Sequence, residues 1–293
     1  MEITIAKIPF GTAAKEFLSD LEAKNMSPNT IDGYRKDLRL IQRHIENQLN
    51  RPMTLKDFTT ESIEAFLINL QEEHHYQPVS INRHLSTYRS FSKYCVKKRY
   101  ASILVTDPIE KRKCPQKERC FLTAKEVEVL IANIKHPHIH ACVQTLYFTG
   151  LRINECLTLT LDDVDLELKK IHVRHGKGDK ERFVPINDKL EQILQNYLTN
   201  VREGTGNMFF SLKKTNSLSR QYVNRELNKV TKQLGWNKHV TAHVLRHSFA
   251  TNLVSSNVNI VAVQKLLGHS SLKTTSFYLH LANEELVDAV SVL

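Results

Sequence analysis

Several common signatures are missing from this sequence. No apolar run approaches the roughly 20 residues needed to cross a bilayer, so no membrane span is expected. The first residues, MEITIAKIPFGTAAKEF, lack the basic start and apolar stretch of a secretory leader. Cysteine is sparse: Cys95, Cys114, Cys120, Cys142 and Cys156 make an odd count, and no pair has C-x-x-C spacing. A disulfide framework or zinc site is therefore not expected, and free thiols in a reducing cytoplasm fit better. There is no internal repeat and no low-complexity tract. Acidic residues are also short, 31 Asp and Glu against 41 Lys and Arg, which leaves a formal net charge of +10 and a pI of about 9.3. Such an excess favours a polyanionic partner, with nucleic acid ahead of membrane because no strongly amphipathic basic helix stands out. A merely basic soluble protein is the plainer reading of charge alone.

What is present suits two domains. The chain has 293 residues, of which 41% are hydrophobic, too many for one small core and typical of globular proteins. The first hundred residues read as helices. Ser27-Pro28 predicts an N-cap followed by proline at the first helical position. Ile31, Tyr34, Leu38, Ile41 and Ile45 then recur at spacings of three and four, one buried stripe. Arg35, Lys36, Arg39 and Arg43 fall mostly off it. Thr60 is a candidate cap for a third helix carrying Ile63, Phe66, Leu67 and Leu70. Ser80 is a candidate cap for a fourth, from Ile81 to about Lys98, with Arg83, His84, Arg89, Lys93, Lys97 and Lys98 among Leu85, Tyr88 and Phe91. A single basic helix face is usually just solvated. Two in one small bundle suit the backbone and major groove of a duplex, with Arg35, Lys36, Arg39, Arg43, Arg83, Arg89 and Lys93 as candidate contacts.

Residues 108–118 hold Pro108, Pro115 and the cluster Lys111-Arg112-Lys113 without apolar periodicity. They predict a linker between domains over 1–107 and 119–293. It either follows a duplex between the domains or is an ordinary solvated connector. The helical pattern restarts at Phe121: Thr123 caps a helix with Val127, Leu130 and Ile134, and another runs from His140 to Phe148, ending near Gly150. Residues 170–174 and 182–186 alternate as strands around a Gly-Lys-Gly-Asp turn, a hairpin. Ser217 to Leu234 predicts a helix carrying Arg220, Arg225, Lys229 and Lys232, the first two further candidate DNA contacts. The remainder is helical with breaks at Asn257 and Gly268. The fold class is mainly α with a small β-sheet (α+β).

Within the second domain stand Arg152 after Gly150, Lys177 on the hairpin turn, His243 and Arg246 three apart on a helix, Gly268-His269, and Tyr278. This set can cleave a phosphodiester with neither metal nor cofactor. Guanidinium groups stay charged and present forked donors, so Arg152 and Arg246 can hold the non-bridging oxygens as charge grows on them. Tyr278 is the candidate nucleophile. Ionising a phenol at pH 7 costs roughly 4 kcal/mol, which neighbouring arginines and a histidine acceptor can offset. Attack gives a 3′-phosphotyrosine and frees a 5′-hydroxyl, and the covalent link retains the bond energy for rejoining. Lys177 suits the general acid, with Lys180 on the same turn as its rival. His243 and His269 can bond phosphate oxygens or assist proton transfer, whereas His247 reads as structural, elsewhere on the helix. Taken singly, each has a plainer reading: an arginine paired with Glu155, a packed tyrosine, a glycine-rich turn.

The segments Thr149-Gly150-Leu151-Arg152-Ile153-Asn154-Glu155, Gly176-Lys177-Gly178-Asp179-Lys180-Glu181-Arg182, His243-Val244-Leu245-Arg246-His247-Ser248-Phe249-Ala250-Thr251 and Leu266-Leu267-Gly268-His269 through Tyr278 resemble, in order, the catalytic domain of the tyrosine recombinases, the phage integrase and Xer family. The N-terminal region resembles that family's SAM-like core-binding domain. The likeness implies catalytic roles for Arg152, Lys177, His243, Arg246, His269 and Tyr278, with Glu155 supporting Arg152. Ala242, where proline is common, and Leu279-His280, where threonine-histidine is common, depart from the pattern without removing a catalytic group. The resemblance implies a two-domain clamp on a duplex recombination site, a tetramer (of one chain or with a paralogue), exchange through a Holliday junction, and possible accessory DNA-bound proteins. With no room ahead of the helical region, an arm-binding domain is not expected, which points to Xer-like dimer resolution or to a mobile-element resolvase or integrase. Residues 283–290 look like a short amphipathic helix that packs on a neighbouring protomer or closes its own domain. A type IB topoisomerase and a non-catalytic architectural DNA-binding protein are the rival readings.

Overall fold

A computed structural model of the protein describes residues 8–115, 120–174, 181–213 and 217–268. The chain divides into two compact units, residues 1–117 and 118–293. Among the described residues, no helix is long and apolar enough to cross a membrane.

The first unit is built from α1 (Phe10–Ala23), α2 (Pro28–Leu49), α3 (Thr60–Glu72) and α4 (Pro78–Lys97). Ser27 caps α2 as its side chain accepts from the Thr30 amide at 3.2 Å, and Pro28 takes the first helical position. Ile31, Leu38, Ile41 and Ile45 form the buried stripe, and Tyr34 stacks on Phe17. Two expected caps are displaced. Thr59, not Thr60, caps α3, accepting from the Ser62 amide at 3.2 Å, while the Thr60 hydroxyl donates to the Val105 carbonyl. Helix α4 starts at Pro78 rather than after Ser80, because proline is preorganised for the first turn and Ser80 already lies inside it. Phe10, Phe17, Phe58, Phe66, Tyr88 and Phe91 fill the core with tilted and edge-on ring contacts.

The first part of the expected linker is held down. Ile109 is buried in this core, and Arg89 donates to its carbonyl at 2.5 Å. The Asn82 side chain makes two 2.8 Å bonds with the Arg112 backbone, one as donor and one as acceptor.

The second unit holds α5 (Ala124–Ala132), α6 (Pro137–Thr149), α7 (Ile153–Leu157), α8 (Asp188–Asn196), α9 (Arg220–Gln233), α10 (Ala242–Val254) and α11 (Ile260–Leu267). A three-stranded antiparallel sheet joins β1 (Val164–Asp165), β2 (Lys170–Val173) and β3 (Arg182–Pro185) in that order. Ile171 faces Val184 on the buried side, and His172 pairs with Phe183 on the exposed side, the period-two alternation expected of a half-buried hairpin. β1 went unanticipated because two residues carry no readable period. Helix α9 begins at Arg220, capped by Ser219, rather than at Ser217. Helices α6 and α10 pack together at the centre, and most residues of both are buried, polar ones such as Thr145, Arg246 and Ser248 included.

Gly150 ends α6 in the left-handed conformation at φ 64°. A Cβ there would lie 2.4 Å from Phe249 Cδ1. Gly150→Ala is therefore expected to cost about 2–4 kcal/mol, from the left-handed backbone and the overpacking combined. Urea unfolding measures this; an unchanged midpoint would contradict the assignment of Gly150 as a required left-handed cap.

Candidate active site

The end of α6 places the first arginine. After Gly150 the chain turns extended, and Arg152 sits at the N-cap position of α7 with φ −69° and ψ 148°. Glu155, one turn into α7, reaches back so that its carboxylate accepts from the Arg152 amide at 2.8 Å and from Arg152 Nη1 at 2.6 Å. Glu155 is buried. Arg182, at the start of β3, donates to the same carboxylate from Nη2 at 2.7 Å and from Nη1 at 3.2 Å. Arg246 Nη1 lies 4.0 Å from it. Burial pushes the Glu155 carboxyl up. The bonds from Arg182 and the Arg152 amide, together with the guanidinium charges, outweigh burial and hold it below the usual carboxylate range.

Arg246 is buried on α10, where an unpaired charge would be costly. Its Nη1 donates to the Gly150 carbonyl and its Nη2 to the Leu267 carbonyl, each at 2.6 Å. Those carbonyls belong to the C-terminal ends of α6 and α11, where helix dipoles favour a cation. Arg182 Nε donates to the Leu266 carbonyl at 3.2 Å. Gly268, left-handed at φ 63°, passes so close that a Cβ would meet the Arg182 side chain at 3.0–3.1 Å.

His243 is exposed in the first turn of α10. It borders an open groove of about 1090 Å³ lined also by Ile153, Arg220, Arg225, Lys229 and Lys232. The Asn224 side chain ties α9 to α10 by accepting from the Ala242 amide at 3.0 Å. His247, expected to point elsewhere, lies on the same face as His243: their Nε2 atoms are 2.9 Å apart, because positions four apart on a helix are neighbours. One ring nitrogen of the pair donates and the other accepts.

The structure thus brings Arg152, Glu155 and Arg246 together and places His243 on the adjoining groove. Lys177, Lys180, His269, Tyr278 and the tail over 283–290 lie outside the described residues. Of the candidate DNA contacts, Lys36, Arg39, Arg43, Arg83, Lys93, Arg220 and Arg225 are exposed, and Arg35 and Arg89 half-buried. Lys36 also pairs with Asp32 at 2.7 Å. Sequence reasoning overlooked Arg182. Alternation along β3 was the available signal, since it puts Arg182 on the inward face with Val184.

Glu155→Ala leaves three arginines without their shared acceptor. Removing one partner of a buried ion pair typically costs about 3–5 kcal/mol, and that loss is expected here. Equilibrium unfolding tests it; a loss below about 1 kcal/mol would mean that the carboxylate does not organise the cluster.

Residues 120–285 match the family model of the phage integrase family, and residues 14–99 match the phage integrase N-terminal SAM-like domain. Tyrosine recombinase XerD of Staphylococcus haemolyticus is 30% identical over 289 residues, covering 94% of this chain and 96% of that protein. Tyrosine recombinase XerC of Halalkalibacterium halodurans is 33% identical over 287 residues, covering 90% and 91%. The crystal structure of XerH site-specific recombinase bound to palindromic difH substrate shares the fold at a TM-score of 0.73 and 24% identity, covering 94% of this chain and 84% of that one. With a buried carboxylate gathering arginines from three of the four motif segments, and relatives aligned over nearly the whole chain, this protein belongs to the phage integrase family and is a tyrosine-type site-specific DNA recombinase.

Proposed function

We propose that the enzyme cleaves and rejoins duplex DNA through a 3′-phosphotyrosine on Tyr278, and that Arg152, Lys177, His243, Arg246 and His269 are its other catalytic residues. The observation that carries this reading is the convergence of Arg152, Arg182 and Arg246 on the one buried carboxylate of Glu155. Three cations against one anion leave a positive surplus where a scissile phosphate would sit.

Tyr278 Oη attacks phosphorus, and the bond to the 5′-oxygen breaks. The phenolic proton passes to a histidine acceptor or to water, and Lys177 protonates the leaving oxygen. In the reverse sense, the 5′-hydroxyl of the partner strand attacks the phosphotyrosine and releases the tyrosine. One phosphoester replaces another, so no nucleotide is consumed. Arg152 and Arg246 hold the non-bridging oxygens, while His243 and His269 bond the phosphate.

Duplex DNA as the partner is supported by the basic groove along α9 and by the basic residues on α2 and α4, and XerH, a relative in fold, is bound to a difH substrate. Four protomers, of this chain or with a paralogue, would act on two sites through a Holliday junction, with the tail over 283–290 packing on a neighbour. Accessory DNA-bound proteins would set direction. Domains over 1–107 and 119–293 would close around the duplex, joined by residues 108–118. The role is Xer-like dimer resolution or the resolution or integration of a mobile element, in the cytoplasm.

Tyr278→Phe is expected to bind site DNA normally and to form no covalent adduct, and wild-type cleavage is expected to proceed in EDTA because guanidinium charge does the work of a metal ion. Denaturing gels of a nicked suicide substrate read both; an adduct with Tyr278→Phe, or an absolute need for added divalent metal, sinks the mechanism. Lys177→Ala is expected to slow cleavage about 10²–10⁴-fold, far more than Lys180→Ala. A 5′-bridging phosphorothiolate, whose sulfur leaves without a proton, should rescue Lys177→Ala and not Arg152→Ala. Rescue of Lys180→Ala alone would move the acid three residues along, and rescue of neither would point to His269.

A further inference from the structure

The first unit contains a buried polar cluster that its helical packing does not require. Asp37, on α2, is 2% exposed. Its Oδ2 accepts from Arg83 Nη1 at 2.6 Å and from the Thr87 hydroxyl at 2.7 Å, both on α4. Its Oδ1 lies 3.2 Å from His84 Nδ1. Arg83 Nη2 lies 3.1 Å from His84 Nε2. A guanidinium only donates, so Nε2 accepts and the ring carries its proton on Nδ1, facing Asp37. Burial holds the imidazole below the ordinary histidine range, with Asp37 opposing and Arg83 adding to the effect, which suits a neutral acceptor.

We infer that Asp37 is a positioning residue that fixes the Arg83 guanidinium as a rigid reader of one guanine in the DNA site. The inference rests on the reading that α2 and α4 face duplex DNA. Arg83 is gripped at both Nη atoms, yet its side chain remains 54% exposed. Two of its five N–H donors serve Asp37 and His84, and three remain outside these bonds. A guanine presents O6 and N7 in the major groove, the pair that an arginine fork matches. A staple between two helices needs no such exposure, and apolar residues of similar volume would often hold the helices as well or better. An arginine ordered beforehand loses less rotamer freedom on binding, which raises discrimination rather than general affinity. One turn before Arg83 on the same face, Val79 is 68% exposed, apolar surface of the kind that meets a thymine methyl. Lys36 and Arg39, exposed on the same helix α2, would supply charge for phosphates.

Selection of duplexes from a random 30-base-pair pool by the full chain tests this, with wild type, Asp37→Asn, Arg83→Ala and Arg83→Lys run in parallel. The wild-type pool should contain a guanine position at which all three variants lose roughly 5- to 150-fold of the preference, the span of one bidentate base contact. The other enriched positions should stay the same, and affinity of Asp37→Asn for unselected duplex should stay within about twofold. Loss in Arg83→Ala with full retention in Asp37→Asn overturns the positioning role. Retention of every position in Arg83→Ala overturns the reader itself. A wild-type pool with no enriched sequence defeats the underlying DNA-facing reading, and this inference with it. If circular dichroism shows Asp37→Asn poorly folded, Thr87→Val and His84→Leu each remove one support and should each lose part of the same preference. An unchanged guanine position in both overturns the proposal.

Discussion

The buried carboxylate of Glu155 is the interaction on which the catalytic unit depends. It touches the start of α7 through Arg152, the start of β3 through Arg182 and, at 4.0 Å, α10 through Arg246. These segments are far apart in sequence, and their apolar residues Leu151, Leu157, Val184 and Leu245 share one buried core. That core brings the segments together, and the one charged group fixes how their arginines are aimed. Desolvating Glu155 is costly by itself, and the guanidinium donors outweigh that cost. The same arithmetic leaves more positive than negative charge in place, so the device that organises the site also makes it receptive to an anion.

Two helix endings complete the arrangement. Gly150 closes α6 and Gly268 closes α11, both in the left-handed conformation. Each ending turns terminal carbonyls toward Arg246, through Gly150 itself and through Leu267. Carbonyls that would otherwise lack partners at a helix C-terminus thus neutralise a buried cation. In the sequence each glycine shortly precedes a motif residue, Arg152 in one case and His269 in the other. A side chain at either glycine would meet Phe249 or Arg182, so the tightness of the site is set by what these positions lack.

Local signals were legible in the sequence, and pairings across the fold were not. The Ser27 cap, the α2 stripe, the Thr123 cap and the hairpin strands each depend on residues within a few positions of one another, and each is where the pattern put it. The caps of α3 and α4 missed by a few residues for a similar reason: two adjacent threonines, or a proline just upstream of a serine, compete for one helix start. The Glu155–Arg182 pair spans 27 residues and the Asp37–Arg83 pair 46, and nothing local marks either. In the sequence Asp37 is a polar residue beside Leu38 with no local mark, and the approach of α4 makes it a buried acceptor. The family motifs named Arg152, Glu155 and Arg246 together, but not that a third arginine shares their carboxylate. His247 failed differently: the four-residue spacing from His243 was in plain view, and a helix makes that spacing a contact.

The exposure of the three arginines suggests why one carboxylate serves so many. Arg246 and Arg182 side chains are 5% and 12% exposed, and Arg152 is 30% exposed. The deeper two are held by backbone carbonyls as well as by Glu155. In the described structure Arg152 instead bonds Glu155 alone through its side chain, at one nitrogen. On the proposed reading, a phosphate arriving at the surface would compete first for Arg152, the arginine with the fewest bonds. If Arg152 turns toward the phosphate, Glu155 keeps both bonds from Arg182 and the Arg152 amide, so no buried charge is stranded. With a single arginine on Glu155, substrate binding would have to break a buried ion pair outright. With the Arg182 bonds retained, Arg152 would be able to turn from carboxylate to phosphate while Glu155 stays neutralised. Lysine would not serve at the inner positions, because a point charge lacks the forked donors by which Arg182 bonds a carboxylate and a carbonyl and Arg246 bonds two carbonyls.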